Sequence, residues 1–384
     1  MVIKLSKRGR IPPFIAMDVL RDANREEAKG EDVFHLEVGQ PSTSAPNEVL
    51  IAARDALQND LIGYTNALGL PALKERIAQH YDEFYGVKVF PSQVVVTTGS
   101  SGGFILAFLS AFDPGDRVAI ASPGYPAYRN ILNSLGIEVI ELKTGFETNF
   151  QPNPELLDRA AIFGALDGLI VASPSNPTGT MIKASELKVL IDYCRKKSIR
   201  LISDEIYHGI TYKKPAETAI KFSKEAIVIN SFSKYFSMTG WRLGWMIIPD
   251  DLLRPTECLA QNFFISPPTL SQFAAIKVFD CQQELKNHVA NYTENRKLLL
   301  SQLPQVGFKT LAPVDGAFYI YADVSHLTND SREFCQKMLA ETGVATTPGV
   351  DFDPERGKFY LRFSFAGNTE TILSAIDRLN SWKM

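Results

Sequence analysis

Cysteine is scarce in this chain of 384 residues, which contains 4 cysteines and 5 histidines. The cysteines are far apart, form no C-x-x-C pair and make no ligand cluster with the histidines; they are Cys194, Cys258, Cys281 and Cys335. Such spacing argues against a disulfide framework and against a zinc site, so we expect no metal. Scattered thiols of this kind are typical of proteins in a reducing compartment.

A surplus of charge of either sign is also missing. The chain has 40 Lys and Arg residues against 43 Asp and Glu residues, which leaves a net charge of −3, and the two signs are interspersed. A surface that binds nucleic acid needs an excess of basic residues to neutralise phosphates. We therefore expect no nucleic acid partner.

Long hydrophobic runs are absent as well. No run approaches the length of a membrane span, and Pro12, Pro13 and Asp18 interrupt the apolar stretch that a secretory signal would need. Internal repeats and low-complexity linkers are also missing. We expect a soluble cytoplasmic protein that does not interact with membranes.

The chain does contain enough apolar sequence for a large folded core. Its hydrophobic content is 45%, and its length exceeds the size at which one core stops growing, which predicts two domains. Between about residues 94 and 248, short apolar runs alternate with helical stretches, which predicts an α/β sheet covered on both faces. These runs are 94–97, 117–120, 168–171, 199–202, 226–229 and 244–248. After about residue 270, polar helical stretches and two strand-like runs, 317–321 and 358–363, predict a smaller α+β unit.

Four polar clusters directly follow predicted strands of the larger unit. They are residues 98–103, 173–179, 204–207 and 231–234. In open α/β sheets, ligands bind in the crevice beyond the carboxyl ends of the strands. The sequence therefore predicts one ligand site at this edge of the sheet.

The clusters offer groups that suit pyridoxal phosphate. Lys234 is a candidate for Schiff-base chemistry, which lysines perform in enzymes that use this cofactor. The Gly-Ser-Ser-Gly-Gly turn at 99–103 opens an apolar helix at 104–112, so its amides and hydroxyls could hold a phosphate. A buried Asp204 needs a cationic partner, and a protonated pyridine nitrogen would provide one.

Each of these residues also has an ordinary structural explanation. The turn at 99–103 and Asp204 could be helix caps, and Asn176, a possible donor to the phenolic oxygen of the cofactor, could belong to an Asn-Pro turn. Ser231 and Lys234 also fit the S-x-x-K motif of serine acyl enzymes, and Lys-Thr-Gly at 143–145 fits their K-T-G motif. The two motifs occur here in the reverse of the order in those enzymes, which argues against that chemistry.

Taken together, the motifs resemble those of the class I aminotransferases, the fold-type I pyridoxal phosphate enzymes typified by aspartate aminotransferase. The resemblance covers the chain from about Ile11 to the C-terminus, and the motifs follow the family's order. They are Val-Gly-Gln-Pro at 38–41, Gly-Tyr-Thr at 63–65, Leu-Gly-Leu-Pro-Ala-Leu at 68–73, Pro-Gly-Tyr-Pro at 123–126, Asn-Pro-Thr-Gly at 176–179, Asp-Glu-Ile-Tyr at 204–207, Ser-Phe-Ser-Lys at 231–234, Gly-Trp-Arg-Leu-Gly at 240–244 and Leu-Arg-Phe-Ser at 361–364.

The resemblance implies an α/β fold in which a large domain has a mostly parallel central sheet covered by helices, and a smaller domain is α+β. This is the fold type I of pyridoxal-phosphate-dependent transferases. We place the large cofactor-binding domain at 41–276 and the small domain at 1–40 together with 277–384. In this family the tyrosine that matches Tyr64 reaches the phosphate of the neighbouring subunit's cofactor, so the resemblance also implies a homodimer with shared active sites.

The resemblance further implies a role for each matching residue. Lys234 would hold the cofactor and then move the substrate's α-proton, Asp204 would pair with the ring nitrogen, and Tyr125 would stack on the ring. Two residues would contact the phenolic oxygen: Asn176 and Tyr207. The phosphate would be held by Ser100, Ser101, Gly102, Ser231 and Arg242. The substrate's α-carboxylate would be bound by Arg362, Gly39 and Asn176.

The implied activity is transfer of the α-amino group of an L-amino acid to a 2-oxo acid such as 2-oxoglutarate or pyruvate. Some family members have a basic residue where this chain has Ser101, and an apolar segment at 11–15 could form a lid, so we favour a neutral or aromatic donor. Aspartate remains a candidate donor. Two alternatives stay open: a C–S lyase of the same fold, and a non-catalytic sensor that binds pyridoxal phosphate.

Overall fold

The structure, a computed structural model, describes residues 3–383. The α-helices within this range are α1 (Ile15–Glu27), α2 (Asn47–Asn59), α3 (Pro71–Tyr85), α4 (Gly99–Ala111), α5 (Pro126–Leu135), α6 (Pro154–Ala161), α7 (Ala184–Lys196), α8 (Asp250–Phe263), α9 (Thr269–Ala275), α10 (Gln282–Gln302), α11 (Ser331–Thr342) and α12 (Thr369–Ser381). The strands are β1 (Phe34–His35), β2 (Val94–Thr97), β3 (Arg117–Ser122), β4 (Glu138–Lys143), β5 (Gly168–Ala172), β6 (Arg200–Asp204), β7 (Ile227–Ser231), β8 (Gly244–Ile247), β9 (Thr310–Leu311), β10 (Tyr319–Asp323), β11 (Val344–Ala345), β12 (Thr347–Pro348) and β13 (Tyr360–Ser364).

The central sheet has seven strands in the order β2-β8-β7-β6-β5-β3-β4. Strand β8 runs antiparallel to both of its neighbours, and the other pairs are parallel. Apolar side chains alternate between its faces: Val94 and Val96 of β2 pack into one core cluster, whereas Val95 packs into another. Burial on both faces explains why these strands read as continuous apolar runs. The predicted α/β fold with a mostly parallel central sheet is confirmed.

One strand of the central sheet and the start of one helix beside it differ from the sequence-based prediction. Strand β4 was not among the predicted runs, because Glu138, Glu141 and Lys143 interrupt its apolar residues at an edge of the sheet. Helix α4 begins at Gly99 and not at Phe104, so the glycine-serine stretch is the first turn of the helix itself. The amides of that turn therefore point toward the carboxyl edge of the sheet.

A second, antiparallel sheet has the order β12-β13-β10-β9, and β1 pairs in parallel with β11. Helices α10, α11 and α12 accompany these strands, which agrees with the predicted α+β character of this part. The division at residues 41–276 stays a prediction. Within residues 3–383, no helix is both long enough and apolar enough to cross a bilayer.

Candidate active site

A cavity of about 410 Å³ opens at the carboxyl edge of the central sheet. The residues that line it come from distant parts of the chain, and ten of them are predicted site residues: Gly39, Ser100, Ser101, Tyr125, Asn176, Asp204, Tyr207, Lys234, Arg242 and Arg362. A cavity of this size suits a small organic cofactor together with part of a substrate. The structure thus brings most of the predicted site together.

The sheet explains why these residues meet. Asp204 is the last residue of β6, and Lys234 follows the end of the neighbouring parallel strand β7. Asn176 lies just beyond β5, on the other side of β6. Because β8 is antiparallel, Arg242, which lies two residues before its start, arrives at the same edge. The four segments therefore deliver their polar groups to one crevice.

Lys234 is partly buried and lies near two positive charges. Its Nζ donates a hydrogen bond of 2.6 Å to the carbonyl oxygen of Gly39. Burial, followed by the charges of Arg362 and Arg242, lowers the pKa of the amine to about 8. A lysine with a lowered pKa provides the neutral amine that attack on an aldehyde requires.

Asp204 is 4% exposed, and both of its hydrogen-bond donors are neutral. One carboxylate oxygen accepts from the hydroxyl of Tyr128, and the other accepts from the amide of Ile206 at 3.1 Å. Burial raises the pKa of this carboxyl to about 6, although both hydrogen bonds oppose the shift. A buried carboxylate without a cationic neighbour at its oxygens suits a protonated ring nitrogen.

The start of helix α4 forms an anion cradle. Its N-cap residue, Thr98, makes no side-chain hydrogen bond to the first turn, so that turn's amides can receive another acceptor. Gly99 has φ of +71°, and a Cβ there would lie 2.6 Å from Nη2 of Arg242. Only glycine allows the guanidinium to approach the helix start this closely. The amides, two serine hydroxyls and Arg242 together suit a phosphate.

Arg362 lies across the cavity with 2% of its surface exposed. Its Nη1 donates to Oδ1 of Asn176 at 2.8 Å, and its Nη2 donates to the carbonyl oxygen of Glu37. Its guanidinium also lies 4.4 Å from the ring centroid of Tyr319. The Nε atom is buried without a hydrogen-bond partner among the described residues. A fixed guanidinium with donor capacity left over suits a carboxylate ligand.

Three predicted site residues do not line the cavity. Ser231 is buried at the end of β7, and its Oγ lies 2.9 Å from Oγ of Ser233, which does line the cavity. Gly102 packs against Thr98, since a Cβ there would lie 2.4 Å from Oγ1 of that threonine. Tyr64 is 84% exposed and does not line this chain's own cavity.

Sequence reasoning missed two tyrosines of the site. Tyr128 donates to Asp204, and it lies three residues after Tyr125 at the start of α5, so helical spacing could have identified it. Tyr319 bonds through its hydroxyl to the hydroxyl of Tyr207 at 2.7 Å. The sequence indicated Tyr319 less clearly than Tyr128, because a tyrosine in an apolar strand is usually a core residue.

Helix α1 covers the apolar side of the cavity. Its first residues and the residue before it line the space above the site: Phe14, Ala16, Met17 and Leu20. The Phe14 ring meets the Tyr125 ring edge-on, with centroids 5.8 Å apart and planes at 81°. The sequence predicted a lid at 11–15. In the structure, the covering residues lie mainly in helix α1, further along the chain.

A larger cleft of about 810 Å³ lies between α1 and α11. Many of its charged side chains pair within α1, as Arg21 does with Asp18 at 2.9 Å. No predicted site residue lines it. We therefore place the active site in the smaller cavity, where the polar groups converge.

A partly buried amine, a buried carboxylate and an anion cradle at the edge of this sheet define a pyridoxal phosphate enzyme of fold type I. Residues 31–379 match the family described as "Aminotransferase class I and II". The chain belongs to this family, and it is a pyridoxal-phosphate-dependent aminotransferase that acts on an amino acid and a 2-oxo acid.

Known proteins resemble the chain over its whole length. A valine–pyruvate aminotransferase of Mycobacterium tuberculosis is 50% identical, and the match covers 100% of this chain and 99% of that protein. A crystal structure of an aminotransferase from Mycobacterium tuberculosis superposes with a TM-score of 0.97 at 50% identity, covering 99% of each chain. The aspartate aminotransferase of Thermus thermophilus with maleate gives a TM-score of 0.92 at 30% identity, again covering 99% of each chain.

Proposed function

We propose that this aminotransferase takes valine as its amino donor and pyruvate as its acceptor. The observation that carries the proposal is the apolar cover of the cavity by Phe14, Met17 and Leu20; we call helix α1 with the preceding Phe14 the lid. Transfer of a branched aliphatic side chain from water to such a surface is favourable and stabilises the bound donor. The full-length similarity to a valine–pyruvate aminotransferase, at 50% identity, supports the same donor and acceptor.

The charges of the cavity disfavour a dicarboxylate donor such as aspartate. The basic residues in its described lining are Lys234, Arg242 and Arg362. We assign the first to the cofactor aldehyde, the second to the phosphate and the third to the substrate's α-carboxylate. A second substrate carboxylate would then be desolvated without a cationic partner, which costs several kcal/mol, of the order of 2–5.

The roles of the remaining polar residues follow from their positions. We propose that Asp204 holds the protonated ring nitrogen, that Tyr125 lies against the ring face, and that Asn176 and Tyr207 reach the phenolic oxygen. The phosphate is assigned to the α4 cradle and its neighbours: Ser100, Ser101, Gly102, Ser231 and Arg242. Ser233 lines the cavity, so we propose it as an additional phosphate ligand.

Lys234 is the proposed acid–base group. When bound, pyridoxal phosphate supplies an electron sink for the electrons left behind as the substrate loses its α-proton. The neutral amine of Lys234, favoured by its lowered pKa, takes that proton from the α-carbon. Arg362 and the backbone of Gly39 hold the α-carboxylate, which fixes the direction of the Cα–H bond relative to the amine.

We further propose a homodimer in which Tyr64 completes the partner's phosphate site. Its side chain is 84% exposed, and two apolar residues close to it in the chain are exposed as well, Leu61 at 92% and Ile62 at 41%. Exposed apolar clusters of this kind are typical of protein interfaces.

The four cysteines are free, which supports a reducing, cytoplasmic compartment.

A donor panel tests the proposed activity. Purified, cofactor-loaded protein is given valine, alanine, aspartate, phenylalanine or cysteine with pyruvate or 2-oxoglutarate, and both new amino acid and free ammonia are measured. We expect valine with pyruvate to give the highest kcat/KM and to release no ammonia. Preferential use of aspartate would contradict the proposed donor, and ammonia release without an acceptor would indicate the lyase alternative.

A further inference from the structure

The lid helix α1 receives its N-terminal cap from a residue far away in the sequence. The cap position, Phe14, has no side chain that can accept a hydrogen bond. Instead, Oδ1 of Asp351 accepts from the amide of Ile15 at 3.0 Å, and Oδ2 accepts from the amide of Ala16 at 3.1 Å. One carboxylate therefore accepts hydrogen bonds from two amides that otherwise have no partner at a helix start. Its negative charge also interacts favourably with the positive end of the helix dipole.

The segment that carries Asp351 also contacts the rest of the site. The carbonyl oxygen of Asp351 accepts from Nη2 of Arg129 at 3.2 Å, and the carbonyl oxygen of Phe352 accepts from the amide of Gly124 at 3.1 Å. The Phe352 ring lies 4.8 Å from the guanidinium of Arg362. Residues 351 and 352 thus join the lid helix, the loop before Tyr125 and the arginine assigned to the substrate's carboxylate.

This arrangement couples the lid to the depth of the donor pocket. Ala16, whose amide Asp351 holds, is 3% exposed, and Met17 and Leu20 follow it along the cavity. If the first turn of α1 frays, these apolar side chains withdraw from the space that a branched donor side chain would occupy. A donor with a minimal side chain, such as alanine, depends less on that contact.

We propose that Asp351 is a positioning residue that fixes the lid helix and thereby gives the enzyme its preference for donors with a bulky apolar side chain. The inference rests on the proposed function, since it concerns the donor pocket of that activity. Asp351 itself does not line the cavity, so its effect passes through α1.

The test compares Asp351→Ala and Asp351→Asn with the unaltered enzyme in the first half-reaction. Each cofactor-loaded protein is mixed with valine or alanine alone, and the change in cofactor absorbance gives kcat/KM for each donor. Loss of a helix cap should lower the value for valine about tenfold and the value for alanine about twofold or less. Asp351→Asn keeps one uncharged acceptor, so its kcat/KM for valine should lie between those of Asp351→Ala and the unaltered enzyme.

Hydrogen exchange gives a readout that does not depend on turnover. Amides at the start of α1 should exchange faster in Asp351→Ala than in the unaltered enzyme, while those of α4 should not change. Asp22→Ala is the matched control, because it removes a carboxylate from the same helix beyond its first turn, where Asp22 pairs with Arg25 at 3.3 Å. It should change neither the donor preference nor the exchange.

The outcomes separate the two proposals. A variant with an unchanged ratio of valine to alanine use, an equal loss for both donors, unchanged exchange in α1, or loss of the bound cofactor would overturn the positioning role of Asp351. Failure of the unaltered enzyme to use valine would instead overturn the proposed donor.

Discussion

The amine of Lys234 and the carbonyl oxygen of Gly39 are joined by a hydrogen bond of 2.6 Å. Lys234 follows a strand of the central sheet, whereas Gly39 lies in the loop after β1, which pairs with β11. Two residues before Gly39, the carbonyl oxygen of Glu37 accepts a hydrogen bond from Arg362. The short loop 37–39 therefore contacts both the reactive amine and the group assigned to the substrate's carboxylate.

Gly39→Ala should weaken donor binding while the cofactor stays bound. A Cβ at this position would lie 1.7 Å from the hydroxyl of Tyr319, so Tyr319 must move away from Tyr207 and Arg362. Overpacking of this kind costs about 1–3 kcal/mol, which predicts a donor Kd about 5- to 150-fold higher. Titration with valine, followed by cofactor absorbance, measures it. Gly367→Ala, where a Cβ has open space, should bind valine normally, and normal binding by Gly39→Ala would contradict the predicted clash.

Arg362→Ala should separate substrate binding from cofactor binding. Hydrogen bonds to a charged group contribute about 1.5–3 kcal/mol, so we expect the donor Kd to rise about 10- to 100-fold. Cofactor content, measured by absorbance of the purified protein, should stay near normal. The exposed Arg378, which pairs with Asp32 at 3.1 Å, provides the control variant Arg378→Ala. Loss of cofactor in parallel with loss of donor binding would contradict the assigned role.

Tyr128→Phe should move the acid limb of the pH profile of kcat/KM to higher pH. The hydroxyl of Tyr128 donates to Asp204 and lowers the pKa of that carboxyl, against the larger raising effect of burial. Without the donor the pKa rises further, so the carboxylate is lost at a higher pH as the solution is acidified. The deficit should thus be greater at about pH 6 than at about pH 8.5.

A surface pair supplies the control for that experiment. Tyr193 donates to Oδ1 of Asp158 at 2.7 Å, so Tyr193→Phe removes the same kind of hydrogen bond away from the cavity. Its pH profile should match that of the unaltered enzyme. If Tyr128→Phe also keeps the original acid limb, Tyr128 does not set the ionisation of Asp204.

The sequence predicted the parts of the site that depend on strand ends. Asp204, Asn176 and Lys234 could be placed together because the carboxyl ends of parallel strands share one edge of a sheet. It named Ser231 and not Ser233, although Ser233 is the one that lines the cavity, since the face each presents depends on how the chain leaves β7.

Long-range contacts were beyond sequence reasoning for a different reason. Asp351 and Ile15 are 336 residues apart, and an aspartate within an apolar-flanked turn gives no local sign of which helix it caps. The same holds for Tyr319, whose hydroxyl meets Tyr207 across 112 residues of sequence. Such contacts arise from packing between segments that are distant in the sequence, and no local pattern reveals them.

The central claim is that Lys234 carries the cofactor, and borohydride trapping tests it most directly. The purified protein should be yellow, and reduction with borohydride should abolish its visible absorbance and fix the cofactor to the lysine side chain. Peptide mapping by mass spectrometry then locates the label. The account predicts the reduced cofactor on Lys234 alone, and a label on any other lysine would contradict it.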